Sequence, residues 1–193
     1  LGLVVQPFSR AVHPADATTQ SYLRNAGTVQ ATGNRKGSCF ISSGFSASRF
    51  DHAACTTPVA GERNVLVVGD SHAADLWYGL HEGLPGVEVL QATASGCKPL
   101  VPLKGEARCV TVLKQELTRL RGEHVDALVV SGRWRDVDLP KLAKTIQAYK
   151  ALVPTVVVVG VSPEWFGDVP ALLARARDTG NTRLVDDHLD PRV

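Results

Sequence analysis

The stretch Asn64-Val65-Leu66-Val67-Val68-Gly69-Asp70-Ser71-His72-Ala73 decides the fold of this chain. The unbroken apolar run Val65 to Val68 is the pattern of a strand buried on both faces. It stops at Gly-Asp-Ser, and helical spacing takes over at once. Ala73, Leu76, Trp77 and Leu80 fall on one face of a segment from about His72 to Leu84. Strand, tight turn and helix make the first half of a βαβ unit. Ser71 then sits in the bend after a strand, at the mouth of a helix. A hydroxyl there can attack an acyl group, because helix-start amides point at the oxyanion that forms. The same serine also fits a plain helix cap.

The alternation continues downstream. Val87 to Leu90 reads as a second strand, Val125 to Val130 as a third and Thr155 to Val161 as a fourth. Between them, Val110, Leu113, Leu117 and Leu120 stripe a helix over residues 107–121. Leu139, Leu142, Ala143, Ile146 and Tyr149 stripe another, and Pro170 to Arg177 begins a last one with proline near its start. Four β-α units in succession imply a flavodoxin-like three-layer α/β/α domain with a parallel sheet. That order uses five strands. Only four are legible, so the expected sheet is truncated before its last strand. Ligands of such sheets bind beyond the carboxyl ends of the strands. Ser71, Ser95-Gly96-Cys97 and Ser131-Gly132-Arg133-Trp134 follow the first three strands and so share that edge. Neither Gly-x-Gly-x-x-Gly nor a P-loop is present, which argues against nucleotide cofactors.

Residues 1–60 lack sustained periodicity and read as a linker followed by a disulfide-pinned cap, with residues 61–193 forming the α/β domain. A short helix is expected around Thr18 to Arg24. The four cysteines, Cys39, Cys55, Cys97 and Cys109, form no Cys-x-x-Cys pair, so no metal site is expected. Three pairings are open. Local closure favours Cys39–Cys55 with Cys97–Cys109 and an oxidising compartment, against four reduced thiols in a cytosolic protein. A net charge of +2 gives no broad footprint for nucleic acid. The chain has no methionine and no stretch long enough to span a bilayer, and it reads as a piece of a longer protein.

Gly69-Asp70-Ser71-His72, followed by Ser95-Gly96-Cys97-Lys98-Pro99-Leu100 and Ser131-Gly132-Arg133-Trp134, resembles the SGNH (GDSL-like) hydrolases. The similarity runs over about residues 35 to 193. It is closest to the SGNH domains fused to membrane acyltransferase-3 proteins, which O-acylate bacterial cell-surface glycans. The resemblance implies Ser71 as nucleophile, with its own amide and that of Gly96 as oxyanion donors. The asparagine that SGNH hydrolases carry in the third block is missing here, and Arg133 is the candidate substitute. Asp70 is expected to fix the turn, and His72 to pack or hydrogen-bond at the helix start. An SGNH triad also needs Asp-x-x-His, in which the aspartate sets the tautomer of the histidine base. The tail reads Asp186-Asp187-His188-Leu189-Asp190-Pro191, where the spacing fails because Val185 stands three residues before His188. The acid/base pair is therefore expected outside this chain, with Asp187 and His188 as the local alternative.

The resulting expectation is an acyl-transfer domain at the periplasmic or extracellular face of the bacterial cytoplasmic membrane. It would take an acyl group, acetyl by preference, from a membrane acyltransferase domain of the same parent chain. Ser71 would hold the group and pass it to a glycan hydroxyl without a cofactor. The alternatives are a carbohydrate esterase, with water as acceptor, and a non-catalytic glycan-binding module. Trp134 and Trp165 follow strands three and four and fit either a sugar platform or plain packing. His52 is placed near the site only if the cap folds over it.

Overall fold

The computed structural model describes residues 16–28 and 33–191. Five strands form one sheet: β1 (Phe40–Ile41), β2 (Arg63–Gly69), β3 (Val87–Ala94), β4 (Ala127–Ser131) and β5 (Thr155–Val158). The helices are α1 (Ala17–Thr28), α2 (His52–Thr56), α3 (Ser71–Gly83), α4 (Ala107–Arg119), α5 (Leu139–Lys150) and α6 (Val169–Thr179). Every strand pair is parallel, in the order β1-β3-β2-β4-β5. The expected parallel α/β architecture is therefore present.

The strand count differs from the sequence reading. The additional strand is β1, inside the segment read as cap. Two residues carry no periodicity, so nothing in the pattern marks them. Register comes instead from outside the strand. The amide of Thr93 donates to the Cys39 carbonyl at 3.1 Å, the Ser95 amide donates to that of Ile41 at 2.9 Å, and the Thr93 hydroxyl donates to Cys39 at 3.2 Å. The disulfide Cys39–Cys55 closes the loop that holds β1 in place.

Alternation along β2 explains the layers. Leu66 and Val68 face a core with Leu90, Ala92, Leu128 and Val130, covered by Val112 and Leu113 of α4 and Tyr149 of α5. Val67 faces the opposite core with Val89 and Val129, covered by Ala73 and Trp77 of α3. Two apolar faces on one strand require helices on both sides. The Trp77 indole N–H also donates to the Val89 carbonyl at 2.6 Å, so its burial leaves no polar atom unpaired.

The chain divides into two compact units. One comprises, of the described residues, those within Gly27–Glu164 together with Asp190 and Pro191, and contains the sheet and α2 to α5. The other comprises, of the described residues, 16–26 with Trp165–Leu189. In the second unit, Asp16 caps α1 through the Thr19 amide at 2.8 Å and pairs with Arg177 of α6 at 2.7 Å. Asp168 caps α6 through the Ala171 amide, and Gly180 ends that helix in the left-handed region at φ 68°. No helix among the described residues is long and apolar enough to cross a membrane.

Candidate active site

The strand order switches sides at β2: β3 lies on one side of it and β4 on the other. Such a switch point leaves a crevice at the carboxyl ends of the strands. Gly69 ends β2 there at φ 150°, with its backbone against β4. A β-carbon at this position would lie 1.8 Å from the Ser131 carbonyl oxygen, so only glycine lets the two strands approach this closely.

Asp70 joins the turns after β2 and β4. Its side chain is the N-cap of α3, with Oδ1 accepting from the His72 amide at 2.9 Å. Oδ2 accepts from the Arg133 amide at 2.8 Å. The residue is 3% exposed, and each carboxylate oxygen has one backbone donor. Ser71 follows as the first residue of α3. Its hydroxyl makes no hydrogen bond among the described residues and is half-buried. Its amide, in the first helical turn, has no partner within the helix. Asp70 thus takes the capping role and leaves the Ser71 hydroxyl available for chemistry.

A second link runs beside the first. Glu164, in the loop after β5, places Oε2 2.6 Å from Arg133 Nη2. Its Oε1, out of solvent and without an aligned donor hydrogen, stands 3.1 Å from His72 Nε2. The Arg133 guanidinium is therefore directed at a carboxylate, while its amide reaches Asp70. Sequence reasoning did not find Glu164. The available signal was a carboxylate after the fourth predicted strand, on the same edge as Ser71.

Gly96 lies in the turn after β3, at φ 68°. Its amide has no hydrogen-bond partner among the described residues, as an oxyanion donor requires. Three contacts hold this turn. The Cys97–Cys109 disulfide ties it to α4, Arg108 Nη2 donates to the Ser95 carbonyl at 3.2 Å, and Lys98 pairs with Asp138. Asp138 precedes α5 and also accepts from the Arg135 amide at 3.0 Å. Burial opposes its ionisation, but these two partners hold its carboxyl below the usual carboxylate range.

Other predicted residues have structural partners. Trp134 is buried and donates its indole N–H to Val159 at 2.7 Å, so it packs the floor of the third turn. His52 pairs with Glu116 of α4, a carboxylate that is 1% exposed, and not with Ser71. In the other unit, Asp187 and His188 lie in a 3-10 turn over Asp186–His188. His188 Nδ1 donates to the Leu184 carbonyl at 2.8 Å, and Asp187 pairs with Arg183 at 3.6 Å. Asp187 therefore does not orient His188. Trp165, in the same unit, bridges the backbone of Leu189.

The family model described as SGNH domain (fused to AT3 domains) matches residues 38–191. The chain belongs to that family. The match begins at Ser38, so β1 and both disulfides lie inside the SGNH domain. A solved structure, the periplasmic domain of a lipopolysaccharide acetyltransferase from Salmonella ser. Paratyphi A, is similar in fold, with a TM-score of 0.55 at 14% identity. The similarity covers 85% of this chain and 65% of that one. No curated protein matches.

Proposed function

We propose that this SGNH domain transfers an acyl group, acetyl by preference, to a hydroxyl of a bacterial cell-surface glycan, with Ser71 as covalent carrier. The observation that carries the reading is the division of labour at the start of α3. Asp70 caps the helix and ties two turns together, while the Ser71 hydroxyl beside it has no hydrogen-bond partner among the described residues.

In the first half-reaction, Ser71 Oγ attacks the acyl carbonyl carbon of the donor. The Oγ–C bond forms and the donor's bond to the acyl group breaks, while the serine proton passes to a base that delivers it to the departing donor group. The Ser71 and Gly96 amides face the oxyanion of the tetrahedral intermediate. In the second half-reaction, a glycan hydroxyl attacks the acyl-serine carbonyl, and its proton returns to Ser71 as the ester moves to the sugar. Asp70 positions the turn and does not exchange protons. Arg133 braces the third turn through its amide and links to His72 through Glu164. The SGNH pattern supports an Asp-x-x-His pair outside this chain as the base and its aspartate; among the described residues no histidine bonds Ser71.

Fusion to AT3 domains, which defines the family, supports a membrane acyltransferase domain of the parent chain as the donor. Two disulfides support the periplasmic or extracellular face of the membrane. The similar fold of a lipopolysaccharide acetyltransferase domain supports a glycan acceptor. The test is Ser71→Ala in the full parent protein. Loss of glycan acylation is expected, and undiminished acylation overturns the nucleophile. Ester hydrolysis that proceeds equally with and without glycan would make the domain a carbohydrate esterase.

A further inference from the structure

A cleft of about 450 Å³ opens beside Gly96, between the turn after β3 and the start of α5. Gly96, Lys98, Lys104, Pro140, Lys141 and Lys144 line it. Its volume is in the range of pockets that hold small molecules. The whole chain has seven lysines and a net charge of only +2, yet four of the seven line this one cleft. Lys98 is neutralised by Asp138. Lys104, Lys141 and Lys144 form no ion pair among the described residues, which leaves an excess of three positive charges. α5 begins at Leu139, so its amino-terminal dipole adds positive potential at the Pro140 side. One carboxylate, Asp138, stands against these four ammonium groups, so the surplus like charges repel one another. A ligand that brings a negative charge into the cleft relieves that repulsion.

We infer that this cleft binds an anionic sugar of the acceptor glycan, one carrying a carboxylate or a phosphate, and so sets which sugar hydroxyl meets the acyl-serine. The inference rests on the proposed acyl transfer. The same Gly96 whose amide is assigned to the oxyanion also lines the cleft, so an anion held by Lys104, Lys141 and Lys144 places its own or a neighbouring sugar ring next to the reacting carbonyl. An anchor apart from the reacting hydroxyl gives both affinity and register. The lysine ammonium is a mobile point charge with three donors, so it accepts either carboxylate or phosphate without requiring a planar partner.

The test is a binding titration of the 193-residue chain, followed by NMR at the Gly96 and Lys141 backbone amides. The probes are α-D-glucose 1-phosphate, D-galacturonate and the neutral methyl α-D-glucoside. Both anionic sugars are expected to shift these two amides and to bind about tenfold tighter than the neutral glycoside. Their affinity is expected to fall as salt is raised. The double variant Lys141→Gln/Lys144→Gln should weaken the anionic sugars by about two- to fivefold per lysine. Lys36→Gln, outside the cleft, should leave them unchanged. Equal binding of the neutral glycoside overturns the inference, as do an unaltered double variant and the absence of shifts at Gly96 with either anionic sugar. Binding involves no acyl chemistry, so Ser71→Ala should bind like the wild type. Failure of this titration leaves the Ser71 assignment standing, and failure of the acylation test leaves the cleft to be judged by its own titration.

Discussion

Replacing Asp70 tests the link between the turns after β2 and β4. The carboxylate accepts one backbone N–H on each oxygen, from His72 at 2.9 Å and Arg133 at 2.8 Å, and it is 3% exposed. Asp70→Ala removes the helix cap, at about 1 kcal/mol. It also leaves the Arg133 amide without its charged acceptor, at about 2 kcal/mol. The two sites are neighbours, so strict additivity is not required, and the expected loss is about 3 kcal/mol. Asp70→Asn separates the terms. Whichever way the amide is turned, one of the two backbone donors faces an NH₂ group, so one bond survives and one is lost. Its expected cost is about 1 to 2 kcal/mol. Urea unfolding of the oxidised chain, followed by tryptophan fluorescence, measures both. A shift of roughly 1 M in the midpoint is expected for the alanine variant, at an unchanged slope. An asparagine variant as stable as the wild type would refute the two-acceptor argument. So would an alanine variant within about 0.5 kcal/mol of it.

Further outcomes follow from the packing. Gly69→Ala places a methyl carbon where the Ser131 carbonyl oxygen stands, and should cost about 4 kcal/mol or prevent folding. Gly79→Ala, in α3 with nothing within 4 Å of the added carbon, should raise stability by about 0.5 to 1 kcal/mol, as thermal melts of the pair would show. Lys98→Met leaves the Asp138 carboxylate with its backbone donor alone. The expected cost is about 2 kcal/mol, below that of a fully buried pair because Lys98 is partly exposed. The folded carboxyl of Asp138 titrates below its unfolded value, near 4. Its stabilising effect is therefore present above that value and lost as pH falls through the folded one, and an acid titration of Lys98→Met should show a smaller loss than the wild type. Cys39–Cys55 and Cys97–Cys109 close loops with sequence separations of 16 and 12, and removing either as a double alanine variant should cost about 3 kcal/mol in urea.

The central sheet was legible because β2, β4 and β5 are apolar runs that end at glycine or polar turns, and because helical stripes follow them. The turn residues were legible for the same reason: parallel strands put every β-to-α turn on one edge. β1 was not, since two residues held by a disulfide and by backbone bonds to β3 leave no periodic trace. The Asp70–Ser71 division of labour was half visible. The sequence offers Ser71 as either helix cap or candidate nucleophile and Asp70 as the residue that fixes the turn, but does not show that Asp70 itself caps α3 and also reaches Arg133, 63 residues away. Glu164 and the Lys98–Asp138 pair were invisible for a similar reason. They sit in connections between strands and helices whose composition is ordinary, and only the sheet topology brings them together.

The most direct measurement is the mass of the Ser71 peptide from the full parent protein, isolated while glycan acylation is under way and digested under acidic conditions. The account predicts an acyl ester on Ser71 that disappears when acceptor glycan is added and never forms in Ser71→Ala. Acylated glycan produced at the normal rate by Ser71→Ala, with no ester on this peptide in the wild type, would contradict it.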